Sequence, residues 1–327
     1  MMRIIQKSEL VPHTLERSVV TIGNFDGVHR GHAELFRRLN RCAKMLGMPS
    51  VVVTFEPHPL YVLCRPKAPI LITTFQQKLS LIEELGVDIV VILPFTTEFS
   101  QITPDDFIRD FLCNILGMHH LIIGHDYAFG KNREGDYETL QRLAISERFT
   151  LQDMEPVGDD LIFSSSGVRR AVTNGELAVA ARILGRYHII SGVVVHGEQR
   201  GESLGFPTAN IETCNQLIPP DGVYAVWVTI SNTHYMGACN VGKNLTFGAN
   251  SRTIEVFLLD MSEKLYGLEI TIHFVQQLRS VQKFANAGDL QSAIAEDVKN
   301  ARVVLSSSDQ TLIHPGSMVT RVEYNVR

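Results

Sequence analysis

Two stretches of this chain carry side chains whose types and spacing could do phosphate chemistry. The first is Gly23-Asn24-Phe25-Asp26-Gly27-Val28-His29-Arg30-Gly31-His32. Its glycines let the backbone come close to a bulky anion. His29 and His32, three apart where a helix should begin, can face the same way. Two imidazole donors there could stabilise the charge that develops on a phosphoryl group and its leaving pyrophosphate. A His pair at this spacing is, taken alone, more often a capping or surface feature; its place between a strand and a helix favours a ligand. The second stretch runs from Gly192 to Asn210 and includes Gly197, Gly201, Gly205, Pro207, Thr208 and Asn210. Its glycines would let backbone N–H groups wrap a di- or triphosphate. Thr208 and Asn210, two apart in an extended segment, share a face and offer the hard oxygen ligands that magnesium accepts beside phosphates. Glu255 is a charged residue among Ile254, Val256 and Phe257. By alternation it could sit on either face; beside a pocket it would be a base able to accept a hydroxyl proton.

Three shorter segments join the first stretch. Thr54-Phe55-Glu56-Pro57-His58-Pro59 and Gly124-His125-Asp126-Tyr127 each end an apolar run. Ser164-Ser165-Ser166-Gly167-Val168-Arg169 opens a helical pattern, where hydroxyls, helix N–H groups and Arg169 could grip phosphate. An ordinary Ser N-cap is the competing reading.

The elements that must position these residues differ between the two halves. Ser18–Gly23, Ser50–Phe55, Asp88–Leu93 and His119–Gly124 are short and rich in Val and Ile, as buried parallel strands are. Helical patterns lie between them, near His32–Leu46, Thr74–Leu85, Pro104–Leu116 and Asp136–Arg148. This alternation predicts a doubly wound α/β domain, closed by a helical region from Ser164 to about Gly185. After Arg186 the texture becomes β-branched and aromatic, with turn residues between runs, which predicts a small antiparallel β-barrel. One amphipathic helix follows, about Gly288–Leu305, and then a Ser-rich tail. The expected domains are 1–185, 186–305 and a tail over 306–327.

Bulk properties narrow the class. The net charge of −5 over 327 residues gives no general attraction to nucleic acid or anionic membrane. Five scattered cysteines, with no CxxC, argue against a disulfide framework or zinc cage and fit a reducing compartment. No signal peptide or membrane span is expected. The expectation is a cytoplasmic enzyme acting on small molecules, with weak homo-oligomerisation allowed.

The first stretch resembles the HxGH signature of the nucleotidylyltransferase superfamily. With the Phe55–Pro59, Asp126 and Ser164–Arg169 segments in this order, it resembles the adenylyltransferase domain of bacterial bifunctional riboflavin kinase/FAD synthetases. That resemblance implies a Rossmann-like fold and direct attack of FMN on the α-phosphate of ATP. It implies that His29, His32 and Arg169 are catalytic, and that Gly23, Asn24, Phe25, Asp26, Gly31, Ser165 and Ser166 hold ATP. Phe55, Pro57, His58 and Asp126 would lie near nucleotide and flavin. The second half resembles riboflavin kinase through Gly205-Phe206-Pro207-Thr208-Ala209-Asn210, Pro220-Asp221-Gly222, Asn240-Val241-Gly242 and Leu278-Arg279. This implies that Glu255 takes the proton of the ribityl terminal hydroxyl and that Arg279 faces flavin. Gly197, Gly201, Gly205 and Pro207 would then bind ATP with Thr208 and Asn210, the last two also holding Mg2+. ATP, riboflavin and FMN are the implied small-molecule partners.

Departures from the family pattern concentrate in the second half: Glu202, Asn244-Leu245-Thr246-Phe247, Phe257 and Val281 stand where other residues are usual. In the first half only Ser166 replaces a Thr. The alternatives are therefore an FMN adenylyltransferase with a weakened kinase domain, or a non-catalytic flavin-binding protein. Gly237–Asn244 nearly spells a P-loop, but Asn244 replaces the required Ser/Thr and the context is β-rich. His119-His120, Tyr224 and Trp227 are expected to be structural, and His58 reads equally as a site or a turn residue.

Overall fold

The computed structural model describes residues 1–124, 129–131, 134–197, 205–243, 252–261 and 265–313. Asp126, Gly201, Glu202, Asn244 and the tail beyond 313 lie outside the described residues. The chain divides into two compact units, Met1–Ile70 with Phe75–Phe163, and Leu71–Thr74 with Ser164–Arg327.

In the first unit six strands form one parallel sheet. They are β1 (Arg3–Gln6), β2 (Ser18–Ile22), β3 (Ser50–Glu56), β4 (Ile89–Pro94), β5 (Met118–Gly124) and β6 (Thr150–Met154), in the order β1-β4-β3-β2-β5-β6. β2 is buried along its whole length, as a strand covered on both faces should be. From β2 the chain winds outward through β3 and β4 on one side and β5 and β6 on the other. The carboxyl ends of β2 and β5 are therefore the switch point, where ligands bind in such sheets. The edge strands β1 and β6 are the two that the apolar runs do not announce. Each is short and keeps only part of its side chains inside, so polar residues such as Gln152 and Asp153 break the pattern.

Helix α1 (Arg30–Leu46) packs Leu35, Phe36, Leu39 and Ala43 onto this sheet. Burial of each large apolar side chain stabilises by roughly 1.5–3 kcal/mol, which fixes the helix start beneath the carboxyl edge. Further along come α2 (Pro59–Leu63), α3 (Phe75–Glu84), α4 (Pro104–Asp106) and α5 (Tyr137–Glu147). The expected Pro104–Leu116 helix starts at its Thr103 cap, whose side chain accepts from the Asp106 N–H, but widens to π-type turns over Phe107–Ile115.

The second unit holds α6 (Ser165–Thr173), α7 (Leu177–Leu184) and a closed antiparallel barrel. Its strands are β7 (His188–Val195), β8 (Ala209–Thr213), β9 (Gly222–Ile230), β10 (Thr233–Lys243), β11 (Arg252–Leu258) and β12 (Glu269–Ser280). Ile190, Val194, Ile211, Tyr224, Val226, Cys239, Ile254, Val256 and Phe274 fill one core, so these positions point inward. Their neighbours Ala225, Trp227 and Ala238 form a second cluster with Ala301 and Leu305 of α8 (Ala287–Ser306), which packs on β9, β10 and β12. Tyr224 and Trp227 are core residues as expected, and the Trp227 indole N–H donates to Ser308 at 2.9 Å. The helical region expected to close the first half behaves differently: Leu177 of α7 joins the barrel core and Ala181 joins the second cluster. An apolar helix face fits either a sheet or a barrel, so periodicity alone does not assign it.

Candidate active sites

Gly23–His29 connects β2 to α1 at the carboxyl edge of the sheet. The turn is strained: Phe25 and Val28 have φ of 50° and 38°, both buried, around Gly27 at 81°. The strain swings the chain so that His29 becomes the N-cap of α1. Its Nδ1 accepts hydrogen bonds from the Gly31 and His32 N–H groups at 3.1 and 3.4 Å. With Nδ1 accepting, the neutral ring carries its proton on Nε2. The Nδ1 of His29 is thus spent on the helix start, and the ring's remaining proton sits on Nε2. His32 stacks on it, ring centroids 3.6 Å apart at 24°, and meets Phe25 edge-on at 5.2 Å. The pair faces the same way, as its spacing predicts. A Cβ on Gly31 would lie 3.0 Å from the His29 ring, so this position must be small for the cap to form. Asp26 is buried beside the turn, and Asn24 is exposed at its rim.

The end of β3 brings a second group of expected residues to the same edge. Phe55 packs against Phe95 and Phe99, ring centroids 5.7 and 5.9 Å away. The Glu56–Pro57 peptide is cis. His58 caps the short helix α2, its Nδ1 accepting from the Leu60 N–H at 3.3 Å. His119 and His120 enter β5, and His120 pairs with Thr150 of β6, a structural role. One residue that sequence reasoning missed stands behind this edge. Lys78 of α3 is almost completely buried and donates to the loops after β2 and in β3.

The Ser run lies in the second unit. Ser164 is the N-cap of α6, its Oγ accepting from the Gly167 N–H at 3.1 Å. Ser165 and Ser166 are the first two helical residues, and Arg169 follows one turn on, half-buried. The ordinary cap thus falls on Ser164, not on the Ser165 and Ser166 of the expected phosphate grip.

In the barrel, the register assembles the other candidates. Asn210 of β8 lies opposite Glu255 of β11, and Glu255 lies opposite Asn240 of β10. Ile254 and Val256 point into the core, so Glu255 belongs to the outward row with Asn210 and Asn240. That settles the face that alternation left open. Gly197 abuts this row: a Cβ there would lie 2.1 Å from the Asn210 side-chain nitrogen. On the riboflavin kinase resemblance, Gly197→Ala is expected to displace the Asn210 amide and lower riboflavin phosphorylation roughly tenfold or more. FMN adenylylation in the same sample should be unchanged. Thr208 sits just before β8, and Gly205 has φ of 85°. Phe257, two on from Glu255, shares its face and packs edge-on against Phe206, centroids 5.5 Å apart. The departure at Phe257 therefore anchors the Gly-Phe-Pro-Thr segment beside the acid.

Arg279 of β12 lies opposite Val223 of β9, and Val223 lies opposite Asn240. Its Nε and Nη2 donate to both carboxylate oxygens of Asp297 on α8 at 2.8 and 2.7 Å, and its guanidinium lies 5.6 Å from the Phe284 ring centroid. The expected flavin contact is thus already oriented by a buried carboxylate, a partner the sequence does not announce. Val281, by contrast, is exposed. Among the described residues no group of three or more His, Cys, Asp or Glu side chains could hold a metal. The Thr208 and Asn210 side-chain oxygens are of the hard kind that suits a cation keeping most of its coordination for phosphate and water.

Comparison with known proteins follows the same division. A family model for FAD synthetase matches residues 11–167, and one for riboflavin kinase matches residues 184–305. The chain is 38% identical over 289 residues to the bifunctional riboflavin kinase/FMN adenylyltransferase of Escherichia coli (strain K12), covering 88% of this chain and 92% of that one. It is 34% identical to the Bacillus subtilis (strain 168) enzyme of the same name, covering 91% and 96%. A crystal structure described as a macrolide-efflux protein from Streptococcus pneumoniae is similar with a TM-score of 0.82 and 28% identity, covering 92% of this chain and 99% of that one. No described helix here is long and apolar enough to cross a membrane. The first family match falls mainly on the first unit and the second wholly on the second, and the relatives match nearly end to end: the chain belongs to the bifunctional riboflavin kinase/FMN adenylyltransferase family.

Proposed function

We infer that the chain phosphorylates riboflavin to FMN with ATP in its barrel and adenylylates FMN to FAD with a second ATP through its α/β unit. The observation that supports this reading is that each fold brings together side chains of the kinds that phosphate chemistry needs. His29 and His32 are stacked at a helix N-terminus, and Asn210 is in register with Glu255.

For adenylyl transfer, an FMN phosphate oxygen forms a bond to the α-phosphorus of ATP as the bond to pyrophosphate breaks. The His29 Nε2–H and the His32 ring supply donors to the oxygens that gain charge. Gly23, Asn24, Phe25, Asp26 and Gly31 would form the ATP side; the role of Ser165, Ser166 and Arg169 toward ATP phosphates rests on the family resemblance alone. Phe55, Pro57, His58 and Asp126 form the flavin side. For the kinase, Glu255 accepts the ribityl hydroxyl proton, that oxygen bonds to the γ-phosphorus, and ADP leaves. Thr208 and Asn210 would hold Mg2+, which supplies charge neutralisation on the phosphates. Gly197, Gly201, Gly205 and Pro207 shape the loop around them, and Arg279 faces flavin. The free state of the cysteines suits a reducing, cytoplasmic setting.

The test is chromatographic separation of riboflavin, FMN and FAD over time with Mg-ATP. Riboflavin should pass to FMN and then FAD, and chelation of the divalent cation should stop FMN formation. FAD from supplied FMN, with none from riboflavin, would instead support the weakened-kinase reading that Phe257 and Val281 raise. No product from either flavin would support the non-catalytic one.

A further inference from the structure

Lys78 is the most deeply buried lysine side chain described in the first unit, 7% exposed on the inner face of α3. A buried ammonium is costly unless its donors are satisfied. Here all three find acceptors, and those acceptors lie on two different segments at the carboxyl edge. Nζ donates to the Asn24 carbonyl at 3.3 Å, to Thr54 Oγ1 at 3.2 Å and to the Phe55 carbonyl at 3.5 Å. Thr54 itself donates to the Asn24 carbonyl at 3.4 Å, closing a small network. The titratable groups facing the ammonium are Asp26, from the turn after β2, and Glu56, from the end of β3. An apolar side chain would fill this volume without desolvating a charge, so packing alone does not account for a lysine.

The two segments are those that adenylyl transfer has to keep in step. Asn24 begins the turn that delivers His29, and Phe55 begins the turn through Pro57 and His58. We propose that Lys78 is a positioning residue for adenylyl transfer, its ammonium fixing the ATP-side turn against the flavin-side strand end so that the two substrates meet in reacting geometry. The proposal rests on the adenylyl-transfer reading above. Wild-type protein that makes no FAD from FMN would remove that reading before any variant is assayed.

The experiment compares wild type, Lys78→Met and Lys78→Arg in the full-length chain. FMN adenylylation is measured as kcat and as KM for ATP and FMN between about pH 7 and 9.5, and riboflavin phosphorylation is measured on the same samples. Misplacing bound substrates by about 1 Å costs on the order of 100-fold in rate. Lys78→Met should therefore lose roughly that factor in kcat, with much smaller changes in either KM and normal riboflavin phosphorylation. Lys78→Arg should recover part of the loss. Burial lowers the Lys78 pKa to about 8, partly offset by Glu56 and Asp26. As pH rises through that value the ammonium loses a donor and its charge, so wild-type adenylylation should fall relative to Lys78→Arg, which stays protonated. A Lys78→Met enzyme with wild-type kcat would overturn the proposal. So would a Lys78→Arg enzyme whose rate falls with pH alongside wild type, and that comparison stands even where the methionine variant does not fold.

Discussion

His32→Ala is expected to stop the chain at FMN. Given riboflavin and Mg-ATP, the variant should accumulate FMN at the wild-type rate while FAD formation falls about 10²–10³-fold, the usual cost of removing one donor from developing transition-state charge. His32 makes a cleaner test than its neighbour. His29 caps α1, so truncating it removes acceptors for the Gly31 and His32 N–H groups and costs the helix about 1 kcal/mol as well as the chemistry. The His32 ring instead stacks on His29 and lies at right angles to Phe25, and the cap residue of α1 is His29. The Phe36 and Leu39 contacts that seat α1 remain. Normal FMN production by the barrel in the same tube shows that the chain is intact. FAD formation at the wild-type rate would remove His32 from the reaction.

Both folds were legible because each has a local signature. Short Val/Ile runs between amphipathic helices mean a parallel sheet, and the first site sits inside one contiguous strand–turn–helix segment. What stayed hidden depends on pairing between distant residues. Glu255 could face either way until Asn210 was found opposite it and Ile254 inside the barrel. Lys78, in the polar-looking stretch Phe75-Gln76-Gln77-Lys78, reads as a solvated helix residue, yet Gln77 and Lys78 are both buried, and Lys78 donates to the end of β3 and the turn after β2. Asp297 reads as one more surface acid on α8 until Arg279 meets it. His29 shows a different limit. Its spacing from His32 announces a shared face, but not that one of its nitrogens is already committed to the backbone.

Glu255→Gln keeps the shape and hydrogen-bonding reach of the side chain and removes only its capacity to take a proton. Loss of a positioned general base costs about 10²–10⁴-fold, so riboflavin phosphorylation should fall by that range while supplied FMN is still converted to FAD. Stability should change little. Glu255 is half-buried on the outward row of β11, flanked by Asn210 and Asn240, whose amides can pair with a Gln as with a Glu. The inward neighbours Ile254 and Val256, which hold the strand in the barrel, are untouched. Mixing this variant with His32→Ala should restore the whole sequence from riboflavin to FAD. The histidine variant makes FMN and the glutamine variant consumes it, so FAD should form from riboflavin in the mixture but in neither protein alone. Because the two proteins exchange FMN through solvent, the mixture should show a lag set by FMN accumulation. Failure of the mixture, with each half-reaction intact, would mean that the FMN made by the histidine variant stays bound to its barrel instead of reaching solvent. Riboflavin phosphorylation persisting in Glu255→Gln alone would place the base elsewhere in the barrel.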